Sequence, residues 1–236
     1  MGSVYLYELK RAFLTPVAYV FASAFMLLAG LMFFFYNLAY KSGEVISYLS
    51  DLTSFLMFLI PVLTMRSFAE EKKNHSDQFL LTAPLSVFSI VMGKFWAAVT
   101  IYCLALLLTG VFVAIIVVYG LIYWGEVLAG YTGFLFLSLC YISSGLWVSS
   151  LCENQVSAAI ATFGLHFTFS ALDWVIPYVK LSWLSRVLES LSLYEHFKDT
   201  QNGTITLSSL CYFASITALF LFLTALTLQS RRWRKE

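Results

Sequence analysis

Six continuous apolar stretches in the sequence are each long enough to cross a lipid bilayer as a helix. A helix needs about 20 mostly apolar residues to cross a hydrocarbon core roughly 30 Å thick. The approximate limits are Pro16–Ala39, Ile46–Met65, Phe95–Tyr119, Val127–Leu151, Val156–Ile176 and Leu207–Leu228. Lipid offers the backbone no hydrogen-bond partners, so each stretch is predicted to be a helix. The long runs also exclude a barrel of short alternating strands.

The composition excludes an ordinary soluble domain. Of the 236 residues, 60% are apolar and 11% are charged, whereas soluble domains have roughly 45–50% and about 25%. We therefore predict an all-α integral membrane protein with one domain over residues 1–236 and lipid as its surroundings. The net charge of +1 creates no field that would attract nucleic acid, so no nucleic-acid partner is expected.

The distribution of Lys and Arg predicts the orientation. If the N-terminus is inside, ten of the fourteen Lys and Arg residues fall on the inner side and four on the outer side. An excess of basic residues marks the cytoplasmic side of membrane proteins, so both termini are predicted in the cytoplasm. The apolar run after Pro16 is longer than the roughly 7–15 residues of a cleavable signal core, which favours a retained first span.

Two segments outside the spans have the pattern of amphipathic helices. In Val4–Leu14, apolar residues recur at helical spacing with Glu8 and Arg11 opposite, which predicts a helix in the inner interface. In the outer loop Pro177–Thr206, a similar pattern predicts an amphipathic helix of about 15 residues. That helix is too short and too charged to span, so we expect a re-entrant or interfacial cap between the fifth and sixth spans.

The loop Arg66–Pro84, between the second and third spans, has the densest charge cluster in the chain. The charged residues are followed by an apolar Phe-Leu-Leu run, which a solvated loop does not need and a docked helix would bury. A solvated connector and a docking helix for a cytoplasmic partner both remain open. The candidate contact residues are Glu70, Glu71, Lys72, Lys73, His75, Phe79 and Leu80.

The sequence lacks the motifs of the common catalytic and metal sites. Gly93-Lys94 is followed by Phe95 and lacks the upstream glycine of a phosphate-binding loop. There is no His-Glu-x-x-His motif and no Gly-x-Ser-x-Gly elbow. The four cysteines show no metal-ligand spacing. We therefore expect no catalytic residue, no metal site, no cofactor in this chain and no enzyme activity.

A few ionisable residues lie within the apolar spans, where they are costly and often functional. His166 lies in the fifth span, Asp173 near its outer end and Asp51 near the outer end of the second. His166 and Asp173 are candidates for a functional role inside the membrane. The alternative for His166 is a hydrogen-bonded core residue.

Four parts of the sequence are distinctive when taken together: Glu8–Arg11 with Thr15–Tyr19, then Arg66–Lys72 with Leu80–Ser86 and Gly93–Phe95, then Glu153–Val156, and finally His196–Phe197 with Gly203 and Arg231–Trp233. They resemble the type-2 ABC transporter permeases of bacteria, in particular the gliding-motility and copper-processing subgroup. The resemblance implies six spans, an N-terminal elbow helix, a cytoplasmic coupling helix and an outer re-entrant pair. It also implies two permease subunits, identical or different, and two separate subunits that bind ATP and Mg, in the bacterial plasma membrane.

Three functions remain as hypotheses. The leading one is the permease subunit of an ABC exporter, coupled to its ATPase through the residues of the Arg66–Pro84 loop. The second is an ion- or proton-coupled secondary transporter, which would require mid-membrane charges and repeat symmetry. The third is a membrane scaffold that transports nothing. Peptide, lipid, glycan and drug substrates all fit an apolar, aromatic-rich bundle.

Overall fold

The computed structural model describes residues 2–40, 45–74, 86–119, 123–179, 181–201 and 203–233. Within these residues the chain is helical without β-strands, and six helices are long and apolar enough to cross a membrane. Spans 1 to 6 are Val17–Ala39, Val45–Lys73, Val87–Val118, Trp124–Leu151, Gln155–Val175 and Leu207–Arg231. The predicted all-α membrane fold with six spans is thereby confirmed.

Three of the spans contain an irregularity. Span 1 ends in a π-helix, Phe34–Ala39. Span 2 consists of a helix, Val45–Thr64, a turn and a short helix, Ala69–Lys73. In span 3, Thr109 separates the helices Val87–Leu108 and Gly110–Tyr119. The helix that contains span 6 is slightly longer than the span and runs over Leu207–Trp233.

The helices outside the spans precede span 1 or lie between spans 5 and 6. The N-terminal helix is Gly2–Leu14, where the sequence predicts a helix; its place in the membrane interface stays a prediction. After span 5, a 3-10 turn, Ile176–Tyr178, leads to two helices, Ser182–Leu191 and Leu193–Gln201. The sequence predicts one amphipathic helix here, whereas the structure divides the segment at Ser192.

Span 3 begins earlier than predicted. The prediction places its start at Phe95, but the helix starts at Val87, where the Ser86 side chain accepts a hydrogen bond from the Ser89 backbone N–H (3.2 Å). Such an N-cap satisfies a donor that the helix itself cannot pair. Lys94 therefore lies two turns inside the helix rather than in the loop before it.

Span 4 occupies the centre of the bundle. Of an apolar stretch of 18 residues in span 4, 72% is buried inside the molecule, against 17% for the corresponding stretch of span 5. Where it crosses span 2, a Cβ atom at Gly145 would overlap the Thr64 side chain, and at its other end Gly133 stands in the same relation to Thr200. Small residues of this kind allow helices to approach closely in lipid.

Aromatic side chains fill the space between spans 1, 3 and 4. Phe25 lies 5.9 Å from Tyr102 and 6.3 Å from Phe134, measured between ring centroids, and all three are fully buried. Aromatic pairs contribute about 0.5–1.5 kcal/mol each beyond the area they bury. We call the end of the bundle that holds the N-terminal helix and the short helix Ala69–Lys73 the basic end, and the opposite one the distal end.

Candidate coupling site

A lysine is buried between helices at the basic end. Lys94 is 2% exposed, and its ammonium group donates three hydrogen bonds. The acceptors are Glu8 Oε1 (2.7 Å), Ser67 O (2.7 Å) and Glu71 Oε1 (2.6 Å). The Phe68 ring centroid lies 5.0 Å from the same nitrogen. All three N–H donors are thus satisfied, which allows the charge to be buried.

Arg11 extends this arrangement to a third carboxylate. Its Nη2 atom lies 3.0 Å from Glu70 Oε2, and its Nη1 atom lies 3.4 Å from Glu71 Oε1. The Glu71 carboxylate is therefore shared by two cations, Arg11 and Lys94. Because Glu71 is only 6% exposed, water has little access to this contact. We call Glu8, Arg11, Glu70, Glu71 and Lys94 the ion cluster. Removing one partner from a buried ion pair typically costs about 3–5 kcal/mol, because the other charge is left uncompensated.

Close contact between the N-terminal helix and span 3 brings the ion cluster together. A Cβ atom at Gly93 would lie 2.8 Å from Val4 Cγ1 and 3.2 Å from the Tyr5 backbone nitrogen. About two turns further along span 3, Thr100 Oγ1 is hydrogen-bonded to the Tyr5 hydroxyl (3.1 Å). Gly93 is therefore required for its lack of a side chain, since any larger residue would push the N-terminal helix away.

The turn that precedes the short helix is held by span 4. Ser149 Oγ accepts hydrogen bonds from the backbone N–H groups of Phe68 (3.2 Å) and Ala69 (3.3 Å). The same hydroxyl donates to Met65 O (3.2 Å). A buried serine therefore supplies hydrogen-bond partners to a turn that has left the regular helix.

Two cations cap the C-terminal end of span 4. Lys72 Nζ donates to Ser150 O and to Cys152 O (2.9 Å), and Arg231 Nη2 donates to Leu151 O (3.3 Å). The last carbonyl groups of a helix have no partner within the helix, and the helix dipole favours positive charge at this end. Lys72 therefore fixes the short helix to span 4, while Arg231 fixes the end of span 6 to it.

A small cavity adjoins the ion cluster. Its volume is about 60 Å³, and Glu8, Arg11, Arg66 and Glu70 are among the residues that line it. The Arg66 Nε atom is buried and has no hydrogen-bond partner among the described residues. With Arg66 included, three acidic and three basic side chains meet here, so their formal charges balance.

The structure describes four of the seven predicted coupling residues: Glu70, Glu71, Lys72 and Lys73. The other three, His75, Phe79 and Leu80, lie outside the described residues. Glu71 and Lys72 face neighbouring elements of the same chain, and Glu70 is partly exposed beside Arg11. Lys73 is exposed and open to a partner. Their role in coupling stays a prediction.

Sequence reasoning missed the centre of this site. It counts Lys94 as a cytoplasmic charge and places Glu8 and Arg11 on the polar side of an interfacial helix, and it assigns none of the three to the coupling site. One available clue is that Glu8 and Arg11 are three residues apart, on one face of the N-terminal helix. A second is the Gly93-Lys94 pair, which unites a close-contact residue with a charge inside an apolar run.

The two intramembrane candidates lie away from the ion cluster. His166 is fully buried, with Nε2 3.0 Å from Ser144 Oγ and its ring stacked on Tyr141 at 4.4 Å. Asp173 accepts a hydrogen bond from Ser192, whose Oγ also accepts from the Glu195 backbone N–H (2.9 Å). His166 thus has the contacts of a core residue, and Asp173 connects span 5 to the start of the helix Leu193–Gln201.

Comparison with known families gives a match that covers most of the chain. The model of a family described as ABC-2 family transporter protein matches residues 35–228, which is more than half of the chain. The matched region runs from the end of span 1 into span 6 and includes all of the short helix and of spans 2 to 5. No curated protein matches the sequence.

Proposed function

The chain belongs to the ABC-2 family of transporter proteins and is the membrane subunit of an ABC transporter, and we propose that it is the permease of an exporter. In this proposal two separate ATP-binding subunits drive transport. A second permease subunit, identical or different, completes the complex in a bacterial plasma membrane. ATP and Mg are bound by the ATPase subunits, and this chain has no catalytic residue of its own.

The orientation we propose places the basic end in the cytoplasm, with both termini on that side. Exposed Lys73 and partly exposed Glu70 lie at this end, as does the capped end of span 4. The excess of basic residues in the segments predicted to be inside supports this orientation.

The observation that carries the proposal is the set of polar contacts that joins the short helix Ala69–Lys73 to three other elements. Glu71 connects it to Lys94 of span 3, and Glu70 connects it to Arg11 of the N-terminal helix. Lys72 connects it to the end of span 4. A force on this helix would therefore reach spans 3 and 4 directly.

Coupling requires that the ATPase contact the short helix differently in its ATP-bound and ATP-free states. We propose that Lys73, Glu70 and the predicted residues His75, Phe79 and Leu80 make those contacts. Glu71 and Lys72 hold the short helix so that its displacement moves the spans.

The test uses the full chain co-expressed with a candidate ATP-binding subunit from the same organism. We compare Lys73→Glu with Arg186→Glu, which reverses an exposed arginine of the helix Ser182–Leu191 at the distal end. The proposal expects Lys73→Glu to weaken co-purification of the ATPase or transport-linked ATP hydrolysis at least about fivefold, since losing a charge partner at an interface costs roughly 1 kcal/mol or more. Arg186→Glu should leave co-purification and hydrolysis unchanged.

Three outcomes would contradict the proposal. If the purified chain alone hydrolyses ATP, the division of labour is wrong. If no ATPase co-purifies with the wild-type chain and substrate moves on an ion gradient instead, the secondary-transporter hypothesis takes its place. If neither an ATPase nor transport is found, the scaffold hypothesis does.

A further inference from the structure

A second cavity lies toward the distal end, far from the ion cluster. It has a volume of about 300 Å³ and is lined by spans 2, 4 and 5 and by the helix Leu193–Gln201. Along span 2 it reaches from Ser50 to Met57, which is about 10 Å of helix. Met57 is twelve residues into that helix, or about 18 Å from its start at Val45. The cavity therefore extends well into the membrane, and its volume is at the lower end of those that hold small ligands.

Two carboxylates from different spans face this cavity. Asp51 of span 2 accepts a hydrogen bond from Tyr36, and Asp173 of span 5 accepts one from Ser192. Each carboxylate has two oxygens and about four acceptor sites, so both keep unused acceptor capacity. Among the residues that the structure describes, no Lys, Arg or His nitrogen lies within ion-pair distance of either one.

The one described cation that lines the cavity is already paired. Lys198 Nζ lies 2.5 Å from Glu195 Oε1. This hydrogen bond raises the pKa of Lys198, so the side chain stays charged with its charge balanced by Glu195. The excess negative charge of the cavity therefore comes from Asp51 and Asp173.

Aromatic rings form much of the remaining wall. Tyr141, Phe169, Trp174 and Tyr194 all line the cavity. The Tyr194 ring already makes a cation–π contact, with Lys198 Nζ 5.4 Å from the ring centroid. The faces of aromatic rings attract cations, and the attraction is stronger where water is excluded.

We propose that this cavity binds a small organic cation of the quaternary-ammonium or protonated-amine class. Asp51 lies six residues into the helix of span 2 and Asp173 two residues before the end of span 5, so both carboxylates lie in the distal part of the cavity. Ionisable side chains within spans are costly, and they usually face a cavity or pair with an opposite charge. A cation with an apolar body gives both carboxylates a counter-charge and fills the space between the rings. The proposal deepens the proposed function, on which it rests for the view that the ligand is a transported substrate; binding itself needs no ATPase.

The experiment measures binding of phenyltrimethylammonium to the full chain in lipid nanodiscs by equilibrium dialysis. Benzenesulfonate, an aromatic anion, is the matched probe. Asp51→Asn and Asp173→Asn remove one charge each at constant shape, and Glu189→Gln removes an exposed acid that does not line the cavity. We expect saturable binding of the cation alone, weakened about tenfold by each Asn variant and unchanged in Glu189→Gln.

A second measurement does not depend on the choice of ligand. In a Ser54→Cys variant, the new thiol lines the cavity and its rate of modification reports the local charge. We expect a cationic methanethiosulfonate to react faster than its anionic analogue, and Asp51→Asn to reduce that ratio. Rates are corrected for the parent chain, which has an exposed Cys211.

Equal binding of the cation and the anion, or equal binding by wild type and both Asn variants, would overturn the proposal. So would a thiol at position 54 that shows no preference for the cationic reagent. Because neither assay contains an ATPase, these failures leave the permease assignment intact. Conversely, if the cation binds but no ATPase co-purifies with the chain from cells, the site is supported and the exporter is contradicted.

Discussion

Lys94 Nζ lies 2.6 Å from Glu71 Oε1, although the two residues belong to different spans and both side chains are almost completely buried. The contact joins the short helix at the end of span 2 to the interior of span 3. It is also the point at which the N-terminal helix is held, because Glu8 shares the same ammonium group. The ion cluster therefore makes three elements at the basic end behave as one unit.

Lys94→Met should destabilise the chain by about 3–5 kcal/mol, because three acceptors lose their donor, Glu8 loses its cation and the buried Glu71 keeps only Arg11. Adding Glu71→Leu should recover part of that loss by removing one of the stranded charges. Unfolding in a mixed-detergent titration measures Lys94→Met, Glu71→Leu and the double variant. Strictly additive losses in the double variant would show that the two side chains do not interact.

Gly93→Ala should displace the N-terminal helix at a cost of about 1–3 kcal/mol, since its Cβ would lie 2.8 Å from Val4 Cγ1. Limited digestion with trypsin reports the displacement, because Arg11 is held in the ion cluster in the wild-type chain. Gly164→Ala is the matched control: its Cβ meets nothing within 4 Å, and alanine favours the helix. Equal digestion of both variants would contradict the close contact.

The spans could be predicted from the sequence because an apolar run of sufficient length is a local property. The partners of Lys94 could not be predicted in this way. Glu8 is 86 residues away and Glu71 is 23 residues away, and only the packing of the N-terminal helix against span 3 brings them together. The same long-range pairing explains the late predicted start of span 3, since a lysine reads as the end of a span unless its counter-charges are known.

The distal segment shows the same limit. Its amphipathic pattern predicts a helix, and the segment is helical. The break at Ser192 could not be predicted, because Ser192 donates a hydrogen bond to Asp173 of span 5, which is distant in the sequence. The sequence predicts the coupling residues as charged and apolar positions of one loop. The structure separates them by direction: Glu71 faces inward, whereas Lys73 is exposed.

Cysteine labelling tests the orientation. In a chain with exposed Cys211 replaced by Ser, Glu189→Cys at the distal end should react with a membrane-impermeant maleimide in intact cells. Asn74→Cys at the basic end should react only after permeabilisation. Both side chains are exposed, unlike that of Thr200, which is buried and so unsuitable as a labelling position. The reverse pattern would place the basic end outside.

Lys72 and Lys73 are adjacent lysines with different surroundings, so their variants should separate stability from coupling. Lys72→Met removes the hydrogen bonds donated to Ser150 O and Cys152 O. It should cost about 1.5–3 kcal/mol, since hydrogen bonds from charged groups are the stronger ones. Lys73→Met should change stability by less than about 0.5 kcal/mol, as is usual for an exposed side chain.

Hydrogen exchange at the end of span 4 measures the first effect. The Cys152 amide, which donates to Val148 O (3.2 Å), should exchange faster in Lys72→Met and at the wild-type rate in Lys73→Met. ATPase binding should instead be weakened more by Lys73→Met than by Lys72→Met, because Lys73→Met removes a proposed contact with the partner while the bundle stays intact. If both variants leave the exchange rate of the Cys152 amide unchanged, Lys72 does not cap span 4. The proposed connection between the short helix and span 4 is then wrong.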